Sequence, residues 1–116
     1  MNFKPILIVP GETKSVFFEI FFKSMKLKTY QSPLILICDK STLDKEKRKY
    51  KFYKKINQIF LKDIDNEYVF KKKIYLIDVK KQKNNFYVRD CFEVAFKLIK
   101  DGFSHKFING PINKTK

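Results

Sequence analysis

The sequence reads as an α/β protein, an open and mostly parallel sheet with flanking helices. Two apolar runs, Ile6-Leu7-Ile8-Val9 between Pro5 and Pro10 and Leu34-Ile35-Leu36-Ile37-Cys38 after Pro33, lack the polar alternation of a half-exposed strand and match strands buried on both faces. A helix-forming stretch follows each, so strand and helix alternate along the chain. Near the end, a helical stretch stops at Asp101-Gly102 and the chain turns at once into an apolar strand, the return half of a strand-helix-strand unit.

Taken in order, the run Pro5 to Pro10 predicts the first strand and Gly11 to Ser15 its turn. Thr13 or Ser15 can cap a helix running to about Lys26, with Glu19 near its first turn and Phe17, Phe18, Ile20, Phe21, Phe22 and Met25 on its apolar face. The run Pro33 to Cys38 predicts a second strand. Asp39 to Thr42 cap a second helix over Leu43 to Phe52, whose face is weak: Leu43, Tyr50 and Tyr53. A short third strand is expected over Ile56 to Leu61, irregular chain over Lys62 to Phe70, a fourth strand over Ile74 to Val79 and a polar linker over Lys80 to Asn85. Val88, Cys91, Phe92, Ala95, Leu98 and Ile99 then mark one face of a helix over Phe86 to Lys100, with Gly102 as its C′ residue, and Ser104 to Asn109 is the last strand.

A chain of 116 residues makes one domain at most. No apolar run approaches the ~20 residues that span a bilayer, and Ile6–Val9 is too short for a signal peptide, so a cytoplasmic protein with no membrane partner is expected. Cys38 and Cys91 are far apart, lack metal-ligand spacing and read as buried thiols. The formal net charge of +14 points toward a polyanion, but only Arg48 and Arg89 among the 26 basic residues are arginine, the residue that reads nucleic acid through its bidentate fork. Lys, Asn, Ile and Phe share A/T-rich codons, which accounts for much of the bias. Solvated lysines are therefore expected, and nucleic acid is not the expected partner.

Few constellations offer chemistry. His105 is the single histidine, which excludes a His-based metal site within one chain, and neither a Gly-rich dinucleotide loop nor a Walker-type loop is present. Asp63, Asp65 and Glu67 alternate but lack the glycine and downstream Glu of a calcium loop, so a solvated loop is the plainer reading. The run Lys45-Glu46-Lys47-Arg48-Lys49 reads as a solvent-facing surface. Two loops remain: Pro10-Gly11-Glu12, and Gly110-Pro111-Ile112-Asn113-Lys114. In a parallel sheet both leave strand carboxyl ends and could face one crevice. Lys114 would offer a mobile charge and Asn113 an amide donor and acceptor to a phosphate or carboxylate. From spacing alone, a simple turn with a solvated lysine stands beside that reading.

At these residues the chain resembles the 4-hydroxythreonine-4-phosphate dehydrogenase family of pyridoxal phosphate biosynthesis. Asn109-Gly110-Pro111-Ile112-Asn113-Lys114 is similar to the family's Thr-Gly-Pro-Ile-Asn-Lys-like motif, Pro10-Gly11-Glu12 with Glu19 to its early loop, and Pro33-Leu34-Ile35-Leu36-Ile37-Cys38-Asp39 to its Pro-Leu-Val-Ile-Gly-Asp-like stretch. Thr13-Lys14-Ser15-Val16-Phe17-Phe18 stands where the early loop has further Gly and Pro residues. The resemblance covers most of this chain and about the first third of a family member. It implies a single incomplete α/β domain over 1–116, part of an isocitrate/isopropylmalate dehydrogenase-like fold. It also implies NAD and a divalent metal as cofactors of the full-length enzyme, neither held tightly by this chain, whose His105 matches none of the three metal-binding histidines. A phosphorylated small-molecule substrate and a homodimer are implied as well. Gly11, Glu12, Gly110, Asn113 and Lys114 become the candidate substrate-binding residues.

The expected function is thus the N-terminal part of a dehydrogenase that oxidises the substrate's secondary alcohol, with decarboxylation following, inactive alone. Two alternatives stand beside it. One is a small basic module binding nucleic acid, with Tyr50, Phe52 and Tyr53 as exposed aromatics among its lysines. The other is a non-catalytic remnant with an exposed sheet edge, kept soluble by charge.

Overall fold

The chain is described from a computed structural model, in which residues 4–11, 17–27, 32–65, 68, 70–81, 86–104 and 106–109 are placed. The two apolar runs form β1 (Ile6–Val9) and β2 (Leu34–Cys38), and every residue of β2 is buried. They are joined by β3 (Ile56–Ile59), β4 (Ile74–Asp78) and β5 (Lys106–Asn109) in one 5-stranded sheet of order β3-β4-β2-β1-β5, in which every pairing is parallel. The sheet expected to be mostly parallel is parallel throughout.

Side chains alternate across this sheet and meet a different layer on each face. Ile8, Leu34, Leu36, Cys38 and Leu76 pack beneath α1 (Phe17–Leu27) and α2 (Lys40–Lys49), against Phe18, Phe21, Phe22, Met25 and Leu43. Leu7, Val9, Ile35, Ile37, Tyr75 and Ile77 point the other way, into α3 (Tyr87–Lys100) through Tyr87, Cys91, Ala95 and Leu98. The result is a three-layer sandwich with the strands' apolar runs at its centre. Among the described residues no helix is long and apolar enough to cross a membrane.

Several boundaries differ from the sequence reading. Helix α2 starts at Lys40, not Leu43, because Asp39 itself is the N-cap: its carboxylate accepts the Ser41 N–H at 3.2 Å. It also ends earlier, at Lys49. Lys51 takes a positive φ of 54° and turns Phe52 inward, where its ring stacks on Phe22 at 4.6 Å. Tyr53, expected on the helix face, is 81% exposed in the following loop. Ile20 leaves the apolar face of α1 and is exposed, because Phe18, Phe21, Phe22 and Met25 already fill the contact with the sheet. Strand β3 stops at Ile59, and Phe60 projects outward. Apart from a 3-10 turn over Leu61–Asp63, the described residues between Lys62 and Phe70 are irregular as expected, and Ile64, Tyr68 and Phe70 pack against the α3 side of the sheet. The expected caps Thr13 and Ser15 lie outside the described residues.

The end of α3 follows the sequence closely. Asp101 is the C-cap, Gly102 takes φ 85°, and the Phe103 and Gly102 N–H groups donate to the Leu98 and Ile99 carbonyls at 3.0 Å each. This is a Schellman closure, which satisfies two carbonyls left free by the helix end. Ser104 then anchors the turn into β5: its buried hydroxyl donates to the Pro5 carbonyl at 2.6 Å and accepts the Lys106 N–H at 3.2 Å.

Candidate functional site

The carboxyl ends of the strands form one rim. Strands β1 and β5 are neighbours in register, with Ile8 opposite Ile108 and Val9 opposite Asn109. The chain therefore leaves both strands side by side, from Pro10-Gly11 on one and from Asn109 on the other. Gly11 is buried and takes φ 87°, a conformation that favours glycine. Of the candidate residues, Gly11 alone is described; Glu12, Gly110, Asn113, Lys114 and also His105 lie outside the described residues. The structure thus fixes the roots of both loops on one rim.

The next two strands along the rim add carboxylates that the sequence reading did not single out as a pair. Cys38 lies opposite Asp78, so Asp39 and Asp78 meet at the ends of β2 and β4. They border an open cavity of about 350 Å³ that Lys40, Ser41, Asp44, Lys80 and Lys81 also line. Both carboxylates serve the start of α2: Asp39 takes the Ser41 N–H, and Asp78 takes the Lys40 N–H at 2.8 Å. Helix N-termini attract anions, and here two of the protein's own carboxylates fill that role. The signal for the pair was an Asp closing each of two buried apolar runs, Ile37-Cys38-Asp39 and Leu76-Ile77-Asp78.

Beneath this cavity the Tyr87 hydroxyl accepts the Asp39 N–H at 2.7 Å. Burial pushes the Tyr87 hydroxyl far above its usual value and the Cys91 thiol up to about 12, with the Tyr87 hydrogen bond pulling Cys91 the other way. Cys38 is likewise raised by burial. Both cysteines are buried and free, as the sequence suggested. They are protonated, poor nucleophiles whose place is in the core.

Among the described residues no group of His, Cys, Asp or Glu side chains could hold a metal ion. Asp63 and Asp65 are exposed, and Glu67 lies outside the described residues. A divalent metal therefore does not fit the residues placed here, and no step through one is assigned to them. The aromatic set of the nucleic-acid alternative does not form as expected: Phe52 is buried, Tyr50 half-buried and Tyr53 alone exposed.

A parallel sheet with helices on both faces defines the class of open three-layer α/β folds. Within that class, the structure is similar to a 4-hydroxythreonine-4-phosphate dehydrogenase from Burkholderia phymatum. The TM-score is 0.74 at 18% identity, over 98% of this chain and 38% of that one. It is also similar to a proposed 4-hydroxythreonine-4-phosphate dehydrogenase from Salmonella typhimurium, with a TM-score of 0.69 at 18% identity, over 97% of this chain and 39% of that one. The shared property is the fold, and this chain spans well under half the length of either protein. No family model and no curated protein matches the sequence.

Proposed function

We propose that this chain is the N-terminal scaffold of a metal- and NAD-dependent 4-hydroxythreonine-4-phosphate dehydrogenase, and that its carboxyl rim binds the phosphorylated substrate. The observation that carries this reading is the β1–β5 register, which sets Val9 beside Asn109, the ends of the two strands that precede the Pro10-Gly11-Glu12 and Gly110–Lys114 segments, on a fold like that of the dehydrogenases. Lys114 is assigned to the phosphate as a charged donor, Asn113 to a neighbouring polar group, and Gly11 to close backbone approach. Glu12 and Gly110 are assigned to the same substrate-binding set. The metal and the nicotinamide would be held by other parts of such an enzyme and supply alcohol activation and hydride acceptance. The reading carries with it a cytoplasmic homodimer.

Two measurements test it. Titration of the isotopically labelled chain with 4-hydroxythreonine-4-phosphate should shift the amides of Gly11, Asn113 and Lys114, and Lys114→Ala should weaken that response at least fivefold. Shifts confined to the Asp39–Asp78 cavity would reject the assignment of the site. The 116-residue chain with divalent metal, NAD and substrate should form no NADH. Clear NADH formation would show that it carries the catalytic parts itself.

A further inference from the structure

The pairing of β3 with β4 brings together two lysine runs that are far apart in sequence. Lys54 and Lys55 lead into β3, and Lys71, Lys72 and Lys73 lead into β4. Ile56 lies opposite Ile74, so Lys55 and Lys73 immediately precede the first paired position of two neighbouring strands. All five lysines are exposed. The topology adds more positive charge at the same end. Each helix carries the chain back from the carboxyl rim, so the C-terminus of α2 shares this amino rim and brings Lys47, Arg48 and Lys49 in its last turn.

Basic residues in a helix's last turn complement its dipole, which accounts for those on α2. That account also covers Lys54, which reaches the last turn of α1, but not Lys55 or Lys71 to Lys73. Like charges held beside each other across a strand pair are destabilising. The ion pairs among the described residues lie within α1, α2 and α3 with its cap, and none includes a lysine from this strand pair. Lys54 is held in place as well, its ammonium donating to the Met25 carbonyl at 2.7 Å.

Tyr53 sits in the same rim, between Lys51 and Lys54. Its neighbour Phe52 is locked against Phe22, so the backbone is anchored while the Tyr53 ring stands 81% exposed. An exposed ring on an anchored stretch of backbone, among ammonium groups, suits a strand of nucleotides, because bases stack on rings and phosphates pair with lysines. The other exposed large apolar side chains among the described residues do not gather beside Tyr53 as a lipid surface would need: Phe60 and Phe86 lie at the carboxyl end, Ile20 and Phe96 on α1 and α3, and Ile108 on the far edge strand β5. We propose that the amino rim of the sheet docks single-stranded nucleic acid through its phosphates, with Tyr53 as a stacking platform. Arginine is scarce on the rim, so the docking is indifferent to base identity. It occupies the end of the sheet opposite the substrate rim and does not depend on the dehydrogenase reading.

The test is fluorescence anisotropy of the intact chain with labelled oligouridylate and oligothymidylate. If about four phosphates are engaged, affinity should fall about 50-fold between about 50 and about 200 mM salt. Replacing two rim lysines, Lys55→Gln with Lys73→Gln, should reduce that dependence to about sevenfold. Lys80→Gln with Lys81→Gln removes equal charge from the carboxyl end and should leave it unchanged. Tyr53→Ala should weaken binding about fivefold or more. Lys71→Gln with Lys72→Gln gives a second rim pair should the first fail to fold. Equal losses in the rim and carboxyl-end pairs would reduce the effect to bulk charge and overturn the proposal, as would binding to anionic vesicles with none to either oligonucleotide.

Discussion

At the scale of single residues, a few positions carry constraints that their neighbours do not. Gly102 holds φ 85° with nothing within 4 Å of where a Cβ would stand, so a side chain there meets backbone strain and no clash. Gly102→Ala should cost about 1 kcal/mol in urea unfolding, and Gly102→Asn less, since Asn tolerates this conformation better. Phe52 is 1% exposed and stacked on Phe22. Phe52→Ala should destabilise the fold by about 3–5 kcal/mol, seen as a lower denaturant midpoint, whereas Tyr53→Ala next to it should move the midpoint little. Cys91 binds its proton more tightly when folded, at about 12 against an ordinary 9.0. The unfolded chain therefore loses that proton first. The contribution is fully present below a pH of about 9.0 and is lost as pH rises toward about 12, so unfolding midpoints should be flat in neutral solution and fall in that alkaline window. In the native state neither thiol should react with Ellman's reagent at neutral pH, and both should react after denaturation; fast native labelling would contradict the burial of these side chains.

At the scale of elements, burial ranks the strands. Strand β2 sits between β4 and β1 with all five residues buried, while β3 and β5 are the edges, with most of their side chains partly or fully exposed. Native-state hydrogen exchange should therefore find the β2 amides slowest and those of β3 and β5 faster by orders of magnitude. Edge amides that outlast β2 would contradict this strand order. The same ranking explains what could be read in advance. Strands β1, β2 and β4 are continuous apolar runs, and α3 presents a clean stripe, so each was legible from local pattern. Helix α2 was misplaced at both ends because its sequence is polar nearly all round. Its start depends on Asp39 acting as cap, and its end on Phe52 finding Phe22 on another helix. Asp39 stood among the expected caps without being singled out from Lys40, Ser41 and Thr42, and the Phe52–Phe22 contact leaves no mark on residue spacing.

At the scale of the whole molecule, charge is distributed by topology. A formal charge of +14 with lysine runs on adjacent strands should make the folded state self-repelling. Raising salt from about 20 to about 300 mM should therefore raise the melting temperature, because screening relieves repulsion. A fall in melting temperature would mean that the surface ion pairs outweigh that repulsion. The candidate site was legible to the extent that Pro10-Gly11-Glu12 and the Asn109–Lys114 motif were marked by their turn residues. That both loops leave one rim was expected from parallel strands; that they leave neighbouring strands could not be read from them, since it depends on β5 pairing with β1 across most of the chain. The Asp39–Asp78 pair was hidden for the same reason. Composition and periodicity determined an α/β chain with buried parallel strands, because strand burial and helical stripes are local properties of the sequence. The strand order β3-β4-β2-β1-β5 was decided only in the folded state, and with it which loops, carboxylates and lysines became neighbours, because hydrogen bonding between distant strands leaves no mark on the spacing of residues within any one of them.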